Sequence, residues 1–497
     1  MNPNINTNLA APVSSHFVSR AHAGKWYGRE CVKQSKKNRM RLILLKMTLA
    51  GLVFLAGCVG APPGERPAFD RWSAISEKGY SIHNGLENAS LERRELPEQL
   101  PAVPTLHDYL NYAVTHHPAP QAAFYEWKAS LERVPQARAL MDPGLNYAYF
   151  VRESMTQQSI ALTQMLPWYG KLKAGGDAAM ENALAAEQRF EQARQQVLFK
   201  VKAAYADCVL LVRSLAVMRE NRRILADVKA SANARFEAGK GIYADVVRAG
   251  VAVAQAEDRI RSFESRRDPV AGRMNAALGR QAHLSLPWPE TLEIQPLPLM
   301  VDESRFLEWL AQQNPEIRAM GHDIAGRRHV VDASRQNRIP DVMLGVEYMD
   351  MVTMRDQVAV MGTINLPVWP GRVTAEREEA LSGFSAASRR RVDRLQELEA
   401  DLRLAIYRFQ DAHRRVVLYE QTLIPMSREA LDAALAAYGA GEVGFQAVAE
   451  TQTALQELQL TLERAAVDRF LGLAELERLV GRPLTGDDSP SVTIETP

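Results

Sequence analysis

The sequence predicts a mainly α-helical protein with a small membrane β part, built from two copies of one strand–strand–long-helix unit. Three observations predict this fold. Several motifs occur twice along the 497 residues at a nearly constant offset. A run of 101 residues, 168–268, contains no proline. Aromatic residues make up only 7% of a chain that is 46% hydrophobic, which favours long helices over a compact enzyme core.

The N-terminal part has the layout of a secretory signal. Basic residues up to Lys46 precede about ten apolar residues, too few to span a bilayer comfortably. The segment closes on the small residues before Cys58. Residues 1–57 are therefore predicted to be an N-terminal extension and signal peptide, with Met40 as a candidate start. The alternative is that Cys58 is an ordinary buried cysteine after an apolar run, and does not mark the end of a signal.

Charge and cysteine content exclude several classes of protein. Without residues 1–57 the chain has 51 basic and 58 acidic residues, which gives no indication of nucleic acid binding. Cys58 and Cys208 are then the remaining cysteines, so no disulfide framework is expected. The histidines and serines lack the spacing of catalytic or metal-binding motifs. We therefore predict no catalytic residues, no metal site, no cofactor and no enzymatic activity.

Five motifs recur at offsets between 197 and 202 residues. Chance matches would not keep one register, so the sequence contains a duplication. The pairs are His117-Pro118 with Asn314-Pro315, Pro143 with Pro340, Leu166-Pro167 with Leu366-Pro367, Gly239 with Gly441, and Leu278-Gly279-Arg280 with Val480-Gly481-Arg482.

The duplication sets the predicted boundaries. Repeat 1 covers 105–281 and repeat 2 covers 301–483. Four prolines between 287 and 298 predict a stiff extended linker over 282–300. The segment 58–104, rich in proline and charge, is predicted to be extended, and 484–497 to be a flexible tail.

Each repeat reads as a helix, two strands and a long helical pair. Thr105 and Asp108 have the spacing of a helix-capping arrangement. In the predicted strands apolar and small or polar residues alternate, and strands of about nine residues can cross a bilayer when tilted. The alternating apolar residues are Leu145, Tyr147, Tyr149, Val151, Leu344, Val346, Tyr348, Val358, Val360 and Ile364.

The proline-free run carries the seam spacing of a coiled coil. A helix of about sixty residues would be about 90 Å long, so it must associate with neighbours or form a tube. The seam residues are Leu198, Val201, Tyr205, Cys208, Val212 and Leu215.

Four amphipathic strands cannot close a membrane barrel. Open sheet edges in hydrocarbon leave amide groups unsatisfied, and single-chain barrels start at about eight strands. Several chains are therefore required. Three chains would supply twelve strands, although this reasoning does not fix the number three.

The repeated motifs resemble those of the TolC-like outer-membrane efflux proteins of tripartite pumps and type I secretion systems. The resemblance covers nearly all of both repeats. It implies a homotrimer, with a 12-stranded β-barrel continued by a 12-helix periplasmic α-barrel. It also implies a periplasmic adaptor (a membrane fusion protein) and an inner-membrane pump of the resistance-nodulation-division (RND) type, or an ABC transporter, as partners.

The segment Leu55-Ala56-Gly57-Cys58 resembles a bacterial lipoprotein processing box. This resemblance implies a lipid on Cys58 and contact with outer-membrane lipid. Val59, rather than an aspartate, follows the cysteine, which in such lipoproteins favours the outer membrane. The expected location is the bacterial outer membrane, with a periplasmic tunnel.

The strand exits are candidate swivels between sheet and helix. Proline ends a strand and glycine permits sharp re-aiming of the chain. The tryptophans are expected at the membrane interface, with a simple turn around a buried tryptophan as the alternative. The residues are Pro167, Trp168, Gly170, Pro367, Trp369 and Gly371.

Glycines also break the long helices, which predicts αα turns. The resemblance implies that these tips contact the adaptor, and an exposed hairpin loop is the alternative. The tip residues are Gly239, Lys240, Gly241, Gly441, Glu442 and Val443.

Just past the second tip, the family has acidic residues at a narrow periplasmic gate. Ala447 departs from that pattern, whereas Glu450 and Asp245 are candidate gate residues. Three copies of Glu450 would repel one another and favour cations. A glutamate on a helix surface is the alternative.

Five methionines cluster in the second strand pair: Met343, Met349, Met351, Met354 and Met361. Thioethers suit soft metal ions, and flexible apolar filling is the alternative. The segment Gln164–Lys171 resembles the heavy-metal RND branch of the family.

The leading functional hypothesis is a passive exit duct for metal cations or small toxic compounds in an efflux system. One alternative is the outer-membrane channel of type I protein secretion. Another is a lipid-anchored coiled-coil scaffold or adaptor without a pore. An adaptor would show one helical hairpin flanked by β modules, whereas this chain shows two hairpins, each preceded by a strand pair.

Overall fold

The computed structural model describes residues 66–77, 100–101, 104–151, 155–289 and 303–484. Cys58, the predicted signal, part of the linker and nearly all of the tail lie outside these residues. The helices are α1 Arg66–Glu77, α2 Leu106–His116, α3 Pro118–Arg138, α4 Tyr169–Glu237, α5 Tyr243–Glu264, α6 Arg267–Ala277, α7 Glu303–Gln313, α8 Pro315–Gln336, α9 Pro370–Leu418, a π-helix Tyr419–Leu423, α10 Ile424–Ala440 and α11 Phe445–Val480. The strands are β1 Gly144–Tyr149, β2 Thr156–Leu166, β3 Asp341–Met351 and β4 Gln357–Asn365.

The element order confirms the predicted fold class within one chain. In both repeats two short helices, where one helix was predicted, precede a strand pair, and a long helix follows it. The Xaa-Pro turn divides the two short helices, because proline cannot continue a preceding helix. Helix α4 has 69 residues, which corresponds to about 100 Å. In the described part of the chain, no helix combines the length and apolarity needed to cross a membrane.

The short helices of the two repeats start with matching cap chemistry. Thr105 and Asp108 form a reciprocal capping box at α2, as their spacing predicts. The Nδ1 atom of His117 accepts a hydrogen bond from the backbone N–H of Ala119 at the start of α3. Asn314 caps α8 through its side-chain oxygen. A proline follows each of these two caps, where its missing N–H costs nothing.

The four strands form one antiparallel sheet in the order β1-β2-β3-β4. Strand β2 of the first repeat therefore pairs directly with β3 of the second, with Leu162 opposite Val346. The sheet thus joins the two repeats inside one chain.

Two apolar clusters pack the helices together, one around α4 and the other around α9. One contains Tyr109 of α2, Val201 of α4 and Met274 of α6. The other contains Leu310 of α7 and Leu402 of α9, packed with residues of α11. Of the predicted coiled-coil seam of α4, Val201, Tyr205 and Cys208 lie in the first cluster and Leu198 packs against it, whereas Val212 and Leu215 lie outside it. Cys208 is fully buried. Burial raises the pKa of the Cys208 thiol to about 12, so the thiol stays protonated and unreactive.

A glycine in the left-handed conformation ends the last helix of each repeat. It packs against the Xaa-Pro turn between the two short helices of the same repeat. Gly279 has φ 76° and Gly481 has φ 83°. A Cβ atom on Gly481 would lie 2.6 Å from the carbonyl oxygen of Gln313, and one on Gly279 would lie 2.9 Å from Cα of His117. Only glycine fits at either position, because both the conformation and the space exclude a side chain.

The segment 58–104 is not extended throughout, because Arg66–Glu77 forms helix α1. Trp72 stacks on Phe124 of α3 with ring centroids 5.4 Å apart. Arg71 pairs with Glu187 of α4 at 3.0 Å. These contacts are tertiary, and a 12-residue helix is marginal without them, so its own sequence pattern did not indicate it.

Candidate functional site

One face of the sheet is apolar and exposed. Along one row of the register, Leu145, Leu162, Val346 and Val360 lie side by side across all four strands. Their exposed fractions are 71%, 37%, 37% and 80%. A soluble domain rarely presents so contiguous an apolar surface to water, so this face requires an apolar environment.

The opposite face carries small and polar side chains. One row of the register places Asn146, Ala161, Glu347 and Ala359 side by side. The sheet therefore separates an apolar side from a polar side, as the sequence alternation predicted.

Methionines also lie on this polar face. By strand alternation, Met343, Met349 and Met351 of β3 share it, with Met361 of β4. Met165 of β2 lies directly opposite Met343, a neighbour that sequence inspection missed because only the pairing register reveals it. Thr156 Oγ1 donates a hydrogen bond to the sulfur of Met351 at 3.4 Å.

Both outer strands of the sheet have an unpaired edge within the described residues. Strand β1 pairs only with β2, and β4 pairs only with β3. Such edges present free backbone donors and acceptors. Each margin of the sheet can therefore accept a further strand.

The first strand exit is clamped to the second repeat. Lys171 Nζ lies 2.8 Å from Asp341 Oδ1 at the start of β3, and donates a second hydrogen bond to the carbonyl oxygen of Ile339. The backbone N–H of Trp168 donates to the same Asp341 oxygen at 3.2 Å. Pro167 ends β2 at this point, and a Cβ atom on Gly170 would lie 3.0 Å from the side chain of Gln336.

The second strand exit is less constrained. Pro367 follows β4, and Trp369 precedes α9 with 73% of its surface exposed. Trp168 at the first exit is 50% exposed. A Cβ atom on Gly371 would meet no heavy atom within 4 Å. The predicted swivel residues therefore occupy both strand-to-helix junctions, but the contacts around them differ.

Both predicted tips are helix-ending turns with a left-handed glycine. Gly239 has φ 68° and Gly441 has φ 88°. The N–H of Lys240 donates to the Arg235 carbonyl at 2.8 Å, and the N–H of Glu442 donates to the Ala437 carbonyl at 2.9 Å. This is the Schellman pattern of helix termination. Gly241 and Val443 complete the two turns.

Arg235 connects the two tips, a role that the sequence did not predict. Its guanidinium donates to the carbonyl oxygens of Lys240 in the first tip and Gly439 in the second. The same group lies 4.9 Å from the ring centroid of Tyr438, within cation–π range. The two tips are therefore held side by side.

The two candidate gate carboxylates lie in different environments. Asp245 accepts a hydrogen bond from the N–H of Phe445, at the start of α11, and lies 3.7 Å from Arg248. Its side chain is only 13% exposed. Glu450 is exposed, and its carboxylate accepts a hydrogen bond from Gln446 on the same helix. Asp245 caps a helix start, whereas the charge of Glu450 faces the surface of the chain.

The described residues contain no group of three or more His, Cys, Asp or Glu side chains placed to hold a metal ion. The methionines of the sheet are a separate donor type, which such a grouping does not include.

Comparison with known proteins matches these features to one family. The family model described as "Outer membrane efflux protein" matches residues 110–280 and 307–482. No curated protein matches the sequence.

Solved structures share the fold at low sequence identity. The outer membrane protein VceC from Vibrio cholerae is 18% identical, with a TM-score of 0.65 over 76% of this chain and 97% of VceC. A membrane protein from Pseudomonas aeruginosa is 20% identical, with a TM-score of 0.65 over 78% and 97% of the two chains. CusC is 16% identical, with a TM-score of 0.66 over 78% and 99%.

The family match spans both repeats and most of the chain, and the fold agrees with it. The chain belongs to the outer membrane efflux protein family, whose members are transport channels and not enzymes.

Proposed function

We propose that three copies of this chain form the outer-membrane exit duct of a tripartite efflux system. The duct passively conducts substrates from an inner-membrane pump and a periplasmic adaptor to the exterior. Channels of this family are trimeric and work with such partners. The observation that carries the proposal is the four-stranded sheet with one apolar face, one polar face and two unpaired edges.

The physical argument starts from the edges. In hydrocarbon each unsatisfied backbone group costs several kcal/mol. Pairing β4 of one copy with β1 of the next removes both edges and places the apolar face against lipid. The long helices α4 and α9 follow the strand exits directly, so they would continue the same wall into the periplasm.

The helix tips are proposed as the adaptor-contact surface. Schellman turns and the Arg235 bridge fix their backbone, so little conformational entropy is lost on docking. The first tip adds exposed apolar surface, because Ile242 and Tyr243 are 61% and 63% exposed. An exposed loop without a partner is the competing interpretation.

Glu450 is the stronger of the two proposed gate residues. The carboxylate of Asp245 accepts a hydrogen bond at a helix start, whereas the carboxylate of Glu450 is exposed. Three copies of Glu450 around an entrance would favour cations over anions.

Metal cations are the proposed substrate class. The support is the row of thioethers on the polar face, which would line the bore and are soft ligands. Small toxic compounds are the alternative substrate. The proposed pump is of the RND type, with an ABC transporter of type I protein secretion as the rival. A neighbouring gene for an RND pump would support efflux, and one for an ABC transporter would support protein secretion.

Lipid anchoring at Cys58 is also proposed, on the processing-box resemblance alone. Mass spectrometry of the mature N-terminus tests it. An acylated Cys58 supports the anchor, and an unmodified or uncleaved N-terminus contradicts it.

Conductance in planar bilayers tests the duct. Purified protein is expected to run as a trimer in mild detergent and to open ion-conducting pores with a preference for cations. Glu450→Gln is expected to reduce that preference. Glu429→Gln, an exposed carboxylate on the other helix of the same hairpin, is the matched control and should leave it unchanged. A folded monomer without conductance supports the scaffold alternative.

Replacing thioethers tests the substrate class. Met343→Leu with Met361→Leu keeps volume and removes both sulfurs. The pair is expected to lower Ag(I) tolerance in cells that depend on this duct, while Met180→Leu in α4 serves as control. Unchanged tolerance of the double variant contradicts the metal assignment but leaves the duct intact.

A further inference from the structure

The junction between the two repeats is a template for contacts between chains. Inside one chain, repeat 1 meets repeat 2 where β2 pairs with β3 and where α4 packs against α8. In a closed ring, repeat 2 of one copy must meet repeat 1 of the next in the same manner. Strand β4 then pairs with β1, and α9 packs against α3.

Among the described residues, two side-chain polar contacts join α4 to α8. Arg189 Nη2 lies 2.5 Å from Asp323 Oδ2. Glu181 lies 2.8 Å from Nδ1 of His322. One turn further along α8 the helices approach closely, because a Cβ atom on Gly326 would lie 3.2 Å from the side chain of Asn182.

The duplication gives the counterparts of these residues without ambiguity. Helix α3 corresponds to α8 at an offset of 197, which is fixed by the Xaa-Pro turn before the helix and by Pro143 and Pro340 after it. Helix α4 corresponds to α9 at an offset of 201, which is fixed by Trp168 with Trp369 and by the following glycines.

Only one of the two template contacts keeps its charges. Arg189 corresponds to Arg390 in α9, and Asp323 corresponds to Glu126 in α3. The other contact becomes Ser382 and Tyr125, which cannot form an ion pair.

Glu126 and Arg390 are free to meet across a chain boundary. Both are exposed. Neither has an ion-pair partner among residues 66–77, 100–101, 104–151, 155–289 and 303–484.

The surface around these two residues has the small side chains that a close helix approach requires. Ala122 and Ala129 of α3 are exposed, whereas their counterparts in α8, Ala319 and Gly326, are buried. In α9 Ala386 is exposed, whereas its counterpart Ala185 in α4 is fully buried. The faces that α4 and α8 bury against their neighbours are therefore unoccupied in α9 and α3.

We propose that Arg390 forms an ion pair with Glu126 of the partner subunit, at a seam where α9 of one copy packs on α3 of the next. The occupant of this surface is a second copy of the chain. The contact is heterologous, since each copy contributes a different face to each neighbour, and it closes into a ring. This inference rests on the proposed oligomeric duct and specifies its helical seam.

The ion pair contributes more to the register of the seam, that is, to which residues meet along it, than to its stability. Arg390 lies 19 residues past Gly371, about 29 Å along α9 at 1.5 Å per residue. Exposed ion pairs contribute little energy, but opposite charges fix register and reject misaligned neighbours.

Crosslinking between engineered cysteines tests the contact. A full-length Glu126→Cys, Arg390→Cys variant, treated in membranes with a short bis-maleimide, is expected to give covalent dimers and trimers on a denaturing gel. The matched Arg189→Cys, Asp323→Cys variant should give only an internally crosslinked monomer. Each single-cysteine variant controls for Cys31 and Cys58, while Cys208 is buried.

Charge reversal provides the second measurement. Glu126→Arg or Arg390→Glu alone is expected to raise the monomer fraction in dilute detergent roughly two- to fivefold, in line with an exposed pair present at every seam. The double reversal should restore the trimer. Rescue by the double variant is a result that a merely structural role of either residue would not produce.

The outcomes separate this inference from the proposed function. If wild-type protein is a conducting trimer but the cysteine pair gives no covalent oligomer and the double reversal gives no rescue, the seam assignment is wrong and the duct stands. If wild-type protein is a folded monomer, the duct and the seam both fall.

Discussion

The long helices of the two repeats begin and end at equivalent glycines but differ by one residue. Gly170 and Gly239 are 69 positions apart, whereas Gly371 and Gly441 are 70 apart. Helix α4 is continuous over this path, while its counterpart is interrupted by the π-helix Tyr419–Leu423. A π-turn accommodates one extra residue inside an α-helix. The comparison shows that the duplication was kept in register by confining the extra residue to one turn.

A proline sets the position of that turn. Pro425 has no N–H group and cannot complete a regular α-helical bond to the preceding turn. Just before it, the N–H of Ile424 donates to the carbonyl of Tyr419, five residues back. The wider turn therefore falls where the α-helical ladder is already incomplete.

One-residue deletions should show the largest difference between the two long helices. Deleting Ala206, which is fully buried in α4, rotates all later residues by about 100° and should abolish folding. Deleting Glu420 together with Pro425→Ala removes only the π-turn and should leave a folded protein. Thermal unfolding followed by circular dichroism measures both. Failure of the second variant, when Pro425→Ala alone folds, would show that the extra residue is needed beyond its own turn.

Glycine substitutions should rank next. Gly481→Ala is expected to destabilise by about 2–4 kcal/mol, because a left-handed conformation and a backbone clash act together. Gly239→Ala has the same sign of φ but open space within 4 Å, so about 1–2 kcal/mol is expected. Denaturant midpoints of the two variants provide the comparison. Equal losses would mean that contact with Gln313 contributes nothing.

The bridge between the tips should have a smaller, local effect. Arg235→Ala removes two hydrogen bonds and a cation–π contact, at a cost of about 1 kcal/mol. Hydrogen exchange should therefore accelerate around Gly239 and Gly441 but not in the core around Tyr109. Lys240→Ala, an exposed neighbour, is the control. Uniform acceleration along the chain would contradict a local role.

The smallest expected effect is a dependence on pH that arises from the helix cap of one repeat only. His117 caps α3 with a neutral Nδ1, and burial holds the pKa of its imidazole below the usual value. Its contribution to stability is therefore complete above the ordinary histidine pKa of about 6.5, and is lost as the pH falls through the lowered pKa.

The other repeat provides the control, because Asn314 caps α8 without titrating. His117→Asn should remove that part of the pH dependence, and Asn314→His should add a similar one. Melting temperatures between pH 5 and 8 measure both. Identical pH profiles for wild type and His117→Asn would contradict the titrating cap.

Much of the fold could be predicted because local and repeated signals agreed. The strand alternation around Leu145 and Val346 fixed which face is apolar, and the Xaa-Pro and glycine motifs placed the ends of both repeats. The drift of the offset from 201 to 202 indicates one extra residue in the second repeat, which the π-turn beside Pro425 accommodates.

Other features depend on contacts that no local pattern encodes. Helix α1 exists because Trp72 and Arg71 pack on distant helices. The partnership of Met165 with Met343 required the register between repeats. Asp245 became a helix cap because α11 begins beside it, and Arg235 reaches the second tip only through tertiary packing.

The unequal lengths of the strands have a consequence for biogenesis. Strand β1 has six residues and β4 has nine, against eleven in each inner strand. A newly made copy therefore carries its shortest strands at the margins, where they offer other molecules the least backbone to capture. In the proposed assembly its apolar face stays exposed to aggregation until other copies bind. The encounter between copies is a concentration-dependent step. Slow synthesis would then lengthen the time that each copy spends unassembled, and aggregation of unassembled copies would compete with assembly.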